Sequence, residues 1–198
     1  MGTSRREQNK TNVRQGILKA SRKLFTANGY DNTMMKDIAA KAGVSKATVY
    51  NYFPNKESLL IGIEQELILQ IIDMVENNAG KIKGSEAMLR KVLETMVEAS
   101  AEYWDLAKYI TYLNSCEGSA LYAARLPLEN LIRELIKAAQ AEGAFKSDIE
   151  SDRIADIIMG VFLITLFQWE HIELYTSRQL KNKLNKTYKS AIANCFNT

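Results

Sequence analysis

The sequence predicts an all-α fold of about nine helices, with a three-helix unit at the N-terminus and a larger helical unit behind it. Apolar residues recur at every third or fourth position along most of the 198-residue chain, and no stretch alternates with period two for long enough to form a sheet. Only Pro54 and Pro127 occur, and glycines fall mainly between the periodic runs, which indicates short connections. We expect the smaller unit over residues 1–56 and the larger over residues 57–198.

Several observations limit the class of protein. The longest apolar run, residues 157–169, is shorter than the roughly 18 residues that a membrane span requires. The N-terminus is polar and no apolar segment follows it, so we expect a cytoplasmic protein without a secretory signal or a membrane partner. Cys116 and Cys195 are too few for a disulfide framework, so buried thiols are expected, with a redox switch as the alternative.

The net charge of +3 is divided unevenly along the chain. Residues 1–56 carry 11 lysines and arginines against three acidic residues, a net charge of +8, which leaves −5 for the remaining residues. A small basic unit joined to an acidic one suits a polyanionic partner at one end only, because lysines and arginines that neutralise phosphates release counterions. A solvated basic face without any partner is the alternative.

Two helices are predicted at the N-terminus. Apolar residues keep helical spacing from Val13 to Phe25, and Gly29 follows as a helix stop. Thr33 is expected to cap a second helix of about ten residues, which ends at Gly43.

The segment that follows predicts a helix-turn-helix. Ser45 is a good N-cap, and Val44 and Val49 then occupy the two positions of a hydrophobic staple. A glycine corner therefore leads directly into a capped helix, which is the arrangement of a helix-turn-helix.

The third helix has an unusual outer face. At about 100° per residue, Phe53 lies beside Val49 on the inner side, while Ala47 and Asn51 point the opposite way. A purely structural helix rarely carries such a surface without charges. It suits the major groove of DNA, where asparagine can bond an adenine edge and flanking tyrosines and lysines can hold phosphates. Tyrosines that merely pack over the domain are the alternative.

Residues 10–60 resemble the N-terminal domain of the TetR family of bacterial transcriptional regulators, in its AcrR-like form. The matching positions are residues 17–25, 29–30, 33, 37–39, 43–45, 48–50 and 52–60. The resemblance implies a DNA-binding repressor that binds a palindromic operator as a homodimer. It also implies that Tyr50 touches the backbone or a thymine, and that Lys56 opens the fourth helix against a phosphate. Where histidine is common in the family, this chain has Tyr52.

The outer face and the resemblance together predict a set of DNA-contacting residues. They are Thr33, Lys36, Ser45, Lys46, Ala47, Thr48, Tyr50, Asn51, Tyr52 and Lys56.

The larger unit has its own helix signals. Asn55 is a plausible cap for a long fourth helix, and Ser85 for a fifth. Pro127 is expected to start or kink a seventh helix. Residues 151–175 and 177–196 are expected to form the last two helices.

The eighth helix is apolar nearly all round, so a single chain is not expected to bury it fully. A second copy of the chain would cover the rest, and the resemblance implies a four-helix interface between the last two helices of each subunit. The expected interface residues are Ile157, Val161, Ile164, Leu184, Tyr188 and Ile192.

Aromatic and methionine side chains in the larger unit could line a cavity for a small, largely apolar effector. Packing in an ordinary core is the alternative. The candidates are Met88, Met96, Tyr103, Trp104, Tyr109, Tyr112, Phe162 and Trp169.

Two other classes of protein compete with a regulator. An enzyme is disfavoured because His171 is the single histidine and the sequence holds no phosphate loop, nucleophile elbow or cluster of metal ligands. We therefore expect no catalytic residue, no metal and no cofactor. A helical protein-interaction module with a basic N-terminal end would not need the outward Ala47, Thr48 and Asn51.

Overall fold

A computed structural model describes residues 4–114, 118–168 and 175–196, and the described chain is helical with no β-strand. This confirms the predicted all-α fold. The helices are α1 (Arg5–Asn28), α2 (Met35–Ala42), α3 (Lys46–Tyr52), α4 (Lys56–Asn78), α5 (Ser85–Ala101), α6 (Trp104–Asn114), α7 (Ala120–Ala141), α8 (Ser151–Gln168) and α9 (Ser177–Ala191).

Local capping explains where the N-terminal helices begin and end. Ser4 and Glu7 form a capping box that begins α1 three turns before its first buried residues. Gly43 ends α2 in the left-handed conformation at φ 68°, where a side chain would be strained. Ser45 then begins α3 by accepting a hydrogen bond from the Thr48 N–H at 3.0 Å, and this confirms the predicted cap.

The prediction that Thr33 caps the second helix is wrong. The cap position belongs to Met34, whose side chain makes no capping bond. Thr33 is instead buried, and its hydroxyl lies 2.8 Å from the Gly29 carbonyl and 3.2 Å from that of Leu24. The hydroxyl therefore closes the loop between α1 and α2, because a buried donor must find a partner inside the protein.

The predicted cap of the fifth helix is also wrong, and of the two positions predicted for Pro127 the structure has the one inside the helix. The cap of α5 is Gly84, and Ser85 is its first residue, whose N–H and hydroxyl both donate to the Glu142 carboxylate at 2.7 and 2.6 Å. Glu142 thus serves as a cap from the far end of α7, and these bonds lower the pKa of its carboxyl. Helix α7 begins after Ser119, so Pro127 lies inside it.

The buried side chains form two clusters. One lies in the body of the protein and contains residues of every helix from α4 through α9. The other joins the three N-terminal helices to the beginning of α4 and to α6, through residues such as Leu60, Ile63, Leu106 and Ile110. The second cluster therefore contains residues from both sides of the predicted boundary at residue 56. The N-terminal unit is thus attached to the body by a shared hydrophobic core and not only by the covalent chain. The division at residue 56 stays a prediction.

Candidate DNA interface and effector cavity

Helix α3 presents the face that the sequence predicted. Val49 and Phe53 are 0% and 3% exposed and pack into the N-terminal cluster, whereas Ala47 and Asn51 on the opposite side are exposed. The rotation of the helix about its axis is therefore confirmed. Ser45 is exposed beside them, at the start of the same helix.

Polar and aromatic side chains flank that outer face. Lys36 on α2 and Lys46 on α3 are exposed, and the Lys46 Nζ lies 5.7 Å from the centre of the Tyr50 ring, which is itself 42% exposed. The Thr48 hydroxyl is 2.8 Å from that of Ser45. The outer side of α3 thus combines uncharged groups at its centre with lysines at its edge, and the role of these residues toward DNA stays a prediction.

Lys56 does not offer a free ammonium group. Its Nζ donates to the carbonyl oxygens of Tyr30 at 2.8 Å and Asp31 at 3.1 Å, and lies 4.5 Å from the centre of the Tyr30 ring. Two of its three N–H donors are thus used inside the protein, and the contact with a phosphate stays a prediction. Lys56 ties the beginning of α4 to the loop between α1 and α2, because two carbonyls and a ring face converge there.

Replacing Lys56 with methionine should lower the free energy of unfolding by about 1 to 2 kcal/mol, because two charge-assisted hydrogen bonds in a partly exposed position are lost. Chemical denaturation followed by circular dichroism would measure the change. Lys19→Met is the matched control, since Lys19 is exposed on α1 and its replacement should cost less than about 0.5 kcal/mol. Equal effects of the two variants would contradict the tie.

The first turns of α1 extend this surface, although the sequence did not predict them as part of it. Arg6, Asn9 and Lys10 are exposed there. Together with Val13 of the same helix and Tyr52 of α3, they line a groove. Apolar periodicity begins only at Val13, so it could not predict this extension. The Ser-Arg-Arg-Glu pattern at residues 4–7 was the available signal, because it is the capping box that begins the helix.

Aromatic rings and one ion pair connect the N-terminal unit to the body. The Tyr30 ring lies between those of Phe25 and Tyr109, with ring centres 5.2 and 5.0 Å apart. Burial raises the pKa of Tyr30, with smaller contributions from Tyr109, Glu57 and Asp31. Tyr109, predicted to line an effector cavity, therefore belongs to this contact.

Arg22 of α1 forms the ion pair with Glu66 of α4, and its guanidinium lies 5.1 Å from the centre of the Tyr103 ring. Arg22 also lines a cavity in the body, next to Tyr103.

The cavity has a volume of about 130 Å³ and lies between helices α4, α5, α6, α7 and α8, with Arg22 of α1 at its edge. Three of the predicted residues line it, namely Met96, Tyr103 and Phe162. Leu106, Leu128 and their neighbours make the rest of the lining largely apolar. The prediction of an apolar cavity in this part of the chain agrees with the structure, but the individual residues agree only in part.

The other predicted cavity residues lie elsewhere. Met88 and Trp104 are buried away from the cavity, and Tyr112 is 61% exposed on the surface. Trp169 lies outside the described residues. Aromatic content alone could not separate core from cavity, because both use the same side chains at the same helical spacing.

Polar residues at one side of the cavity were missed altogether. Glu64 on α4 accepts a hydrogen bond from the Asn114 Nδ2 at 3.3 Å, and Arg125 lines the cavity nearby while its Nε lies 3.6 Å from the Glu129 carboxylate. Burial raises the pKa of Glu64, while Arg125 and the bond from Asn114 act in the opposite direction. The available signal was the position of Glu64 within the apolar stripe of α4, between Ile63 and Leu67.

Helix α8 leaves a stripe of large apolar side chains uncovered. Ile157, Ile164 and Phe167 are 39%, 51% and 47% exposed and follow one another at helical spacing. Two of them were predicted to form a subunit interface, and Phe167 extends the same stripe.

Four other predicted interface residues are buried inside the chain itself. Val161 is 3% exposed, and Leu184, Tyr188 and Ile192 are fully buried in the core of the body. The stripe on α9 packs on the core because α9 lies against α5 and α8 of its own subunit. The outward residues of α9 are mostly polar, for example Asn182, Lys186 and Lys189.

No described helix combines the length and the apolar character needed to cross a bilayer. Within the described ranges, no three acidic, histidine or cysteine side chains come close enough together to hold a metal ion.

A capped helix-turn-helix with an outward recognition face, joined to a helical body that encloses a cavity, defines a helix-turn-helix transcriptional regulator. Family models match both parts. Residues 17–63 match bacterial regulatory proteins of the tetR family, and residues 65–193 match the C-terminal domain of TetR/AcrR family transcriptional repressors. The chain belongs to the TetR family, and it is a DNA-binding transcriptional repressor rather than a protein-interaction module.

Curated relatives extend the comparison. The chain is 28% identical over 142 residues to the fatty acid metabolism regulator protein of Bacillus subtilis (strain 168), covering 71% of this chain and 70% of that protein. It is 28% identical over 157 residues to the transcriptional repressor AcnR of Corynebacterium glutamicum, covering 79% and 78%.

Solved structures share the fold. FadR from Bacillus subtilis in complex with stearoyl-CoA matches with a TM-score of 0.76 at 21% identity, over 90% of this chain and 97% of that one. FadR from Thermus thermophilus in complex with lauroyl-CoA matches with a TM-score of 0.66 at 24% identity, over 90% and 93%.

Proposed function

We propose that the protein represses transcription as a homodimer that binds a two-fold symmetric operator and is released by a small, largely apolar effector in the cavity of the body. It acts by binding rather than by catalysis, in the cytoplasm, where its operator lies. The observation that carries this proposal is the outward, uncharged face of α3 with lysines at its edge. Residues 1–56 then read DNA, and residues 57–198 bind the effector and the second subunit.

Specificity and affinity come from different residues in this arrangement. Ala47 and Asn51 face the base edges, where asparagine pairs with adenine and a methyl group meets thymine. Lys36, Lys46 and the hydroxyl of Tyr50 reach phosphates and set the register. The basic first turns of α1, outside the region that the N-terminal family model matches, add further phosphate contacts.

Asn51→Ala should remove a base contact worth about 1 to 3 kcal/mol at one operator position and relax the preference there. Lys10→Ala should instead weaken binding to all sequences about equally and reduce the salt slope by roughly 1, because one phosphate contact is lost. Neither variant should change the unfolding curve, since both side chains are exposed.

The operator is obtained by selecting bound fragments from the DNA of the source organism. Affinities are then measured on single-base operator variants at several salt concentrations. A uniform loss for Asn51→Ala, together with an altered base preference for Lys10→Ala, would contradict the assignment of reading and positioning roles.

The dimer is supported by the exposed stripe on α8. Ile157, Ile164 and Phe167 form a contiguous apolar surface that water would otherwise contact, and such a surface is typical of a subunit interface. A two-fold dimer also presents two α3 helices, which dimeric helix-turn-helix proteins place in half-sites one helical turn apart.

Effector control is supported by the composition of the cavity lining. Ile63, Glu64 and Leu67 belong to α4, which begins inside the DNA-binding unit, and Arg22 belongs to α1 of that unit. A ligand in the cavity therefore touches the elements that set the position of α3. The FadR structures hold acyl-CoA molecules in the same fold, which supports an alkyl chain as the apolar part of an effector.

The coupling is tested by titrating ligand with and without operator DNA. The effector should weaken operator binding, and operator should weaken effector binding by the same factor, because coupling free energies are reciprocal. Identical ligand affinities in both titrations would overturn effector control while leaving DNA binding intact.

A further inference from the structure

We propose that the effector carries a protonated amine on its apolar body, and that Glu64 and Asn114 receive this group at the polar side of the cavity. The inference rests on the proposed effector control and deepens it by naming the chemistry of the ligand. It does not follow from the two FadR structures, whose bound ligands are acyl-CoA molecules.

The charged side chains that line the cavity differ in whether they have an oppositely charged partner. Arg22 is paired with Glu66, and Arg125 with Glu129 at 3.6 Å, so both cations already have carboxylate partners outside the lining. Glu64 forms no ion pair with any lysine or arginine of the described ranges, and it accepts a hydrogen bond from a neutral amide, that of Asn114. Among the charged groups of the lining, Glu64 is therefore the one without an ion pair or a hydroxyl donor in the described ranges, although the charge of Arg125 acts on it.

Asn114 adds a second acceptor beside this carboxylate. The side chain is 3% exposed and lines the cavity, and its Nδ2 donates to Glu64. With Glu64 ionised, this orientation is the favourable one, because the reverse orientation would place Oδ1 against the carboxylate. Oδ1 has no hydrogen-bond partner within the part of the chain that the structure describes. Two acceptors thus lie together where a donor is needed, because buried polar groups are rarely left unpaired.

An ammonium group fits this pair better than a hydroxyl or a carboxylate. A buried carboxylate without a counter-ion is unfavourable, and a cation both neutralises it and supplies donors. Burial raises the pKa of Glu64, and an adjacent ammonium would lower it again. Arg125, which also lowers this pKa, is tied to Glu129, and a ligand carboxylate would meet Glu64 as a like charge.

The remaining lining suits a short hydrocarbon chain. Met96, Leu106, Ile110, Leu128 and Phe162 supply apolar surface to a cavity of about 130 Å³. Octylammonium, octanol and octanoate are therefore suitable probes, because they share one chain and differ only in the group that would meet Glu64 and Asn114.

The test is isothermal titration of the full-length protein with the three probes at neutral pH, without DNA. Octylammonium should bind at least about tenfold more tightly than octanol, and octanoate should bind most weakly. Glu64→Gln keeps the shape of the side chain and should abolish the preference for octylammonium over octanol. Glu102→Gln removes a carboxylate from the same lining, but one that is exposed and bonded to the Tyr103 hydroxyl, and should preserve the preference.

Tighter binding of octanoate than of octylammonium would overturn the proposal. The proposal would also be overturned if Glu64→Gln kept the preference for octylammonium over octanol. The same holds if Glu64→Gln and Glu102→Gln lost that preference equally. Thermal melts of the two variants confirm that they fold, and the ranking of the three probes on the wild-type protein stands without either variant. If octylammonium binds as expected but leaves operator affinity unchanged, effector control fails while the amine site stands.

Discussion

Phe53→Ala is expected to lower the free energy of unfolding by about 3 to 5 kcal/mol, because it empties a site that no neighbour can fill. The ring is 3% exposed and packs between α1 and α4. At Gly62 a Cβ would lie 2.9 Å from the ring and 2.8 Å from a Leu18 methyl, so α4 approaches too closely there to carry a side chain. The Arg14 guanidinium, 5.4 Å from the ring centre, covers the remaining side.

Urea denaturation followed by circular dichroism measures this loss, and operator binding should fail at temperatures where the variant unfolds. Tyr50→Ala is the matched control, because it removes an aromatic ring from the same helix at a position that is 42% exposed. It should cost less than about 1 kcal/mol while weakening DNA binding. A loss below about 1 kcal/mol for Phe53→Ala would contradict the packing described for α3.

Ile164→Glu is expected to convert the protein into a folded monomer. The side chain is 51% exposed in the isolated chain, so a charge there costs little in one subunit but opposes apolar contact in the dimer. The dissociation constant of the dimer should rise at least about a hundredfold, an effect typical of residues at the centre of an interface. Operator affinity should fall with it, because each monomer can hold only one half-site.

Sedimentation at several concentrations measures the dimer, and a thermal melt measures the fold. Val161→Glu is the informative comparison, because Val161 is 3% exposed within its own subunit and its replacement should unfold the body. Lys186→Glu changes an exposed charge on α9 and should leave the dimer intact. A wild-type protein that sediments as a monomer at micromolar concentration, or an Ile164→Glu variant that stays dimeric, would exclude α8 as the interface.

The parts of the fold that were predictable depend on short-range interactions. Helical period places Val49 and Phe53 inside and Asn51 outside without reference to any other element. The cap at Ser45 and the glycine corner at Gly43 act within a few residues, so the start and end of the recognition helix follow from local chemistry.

The parts that were not predictable depend on which elements meet. Periodicity indicated an apolar stripe on α9 but could not say whether its own core or a second subunit covers it, and Tyr188 faces the core. The sequence does not reveal that the Lys56 ammonium donates to the Tyr30 carbonyl at 2.8 Å, because the two residues are far apart along the chain. The cavity is a space left between six helices, and Glu64 and Asn114 meet there although they lie on different helices.

The place of Arg22 in the cavity lining bears on how such a regulator can be re-engineered. A chimera that takes its DNA-binding unit from another regulator would carry that regulator's residue at this position, and the ion pair to Glu66 would be lost wherever that residue is not basic. Under the proposed function, the unit that reads the operator thus contributes a residue to the effector cavity. We therefore expect an exchange of DNA-binding units to retain ligand response better when Arg22 is kept.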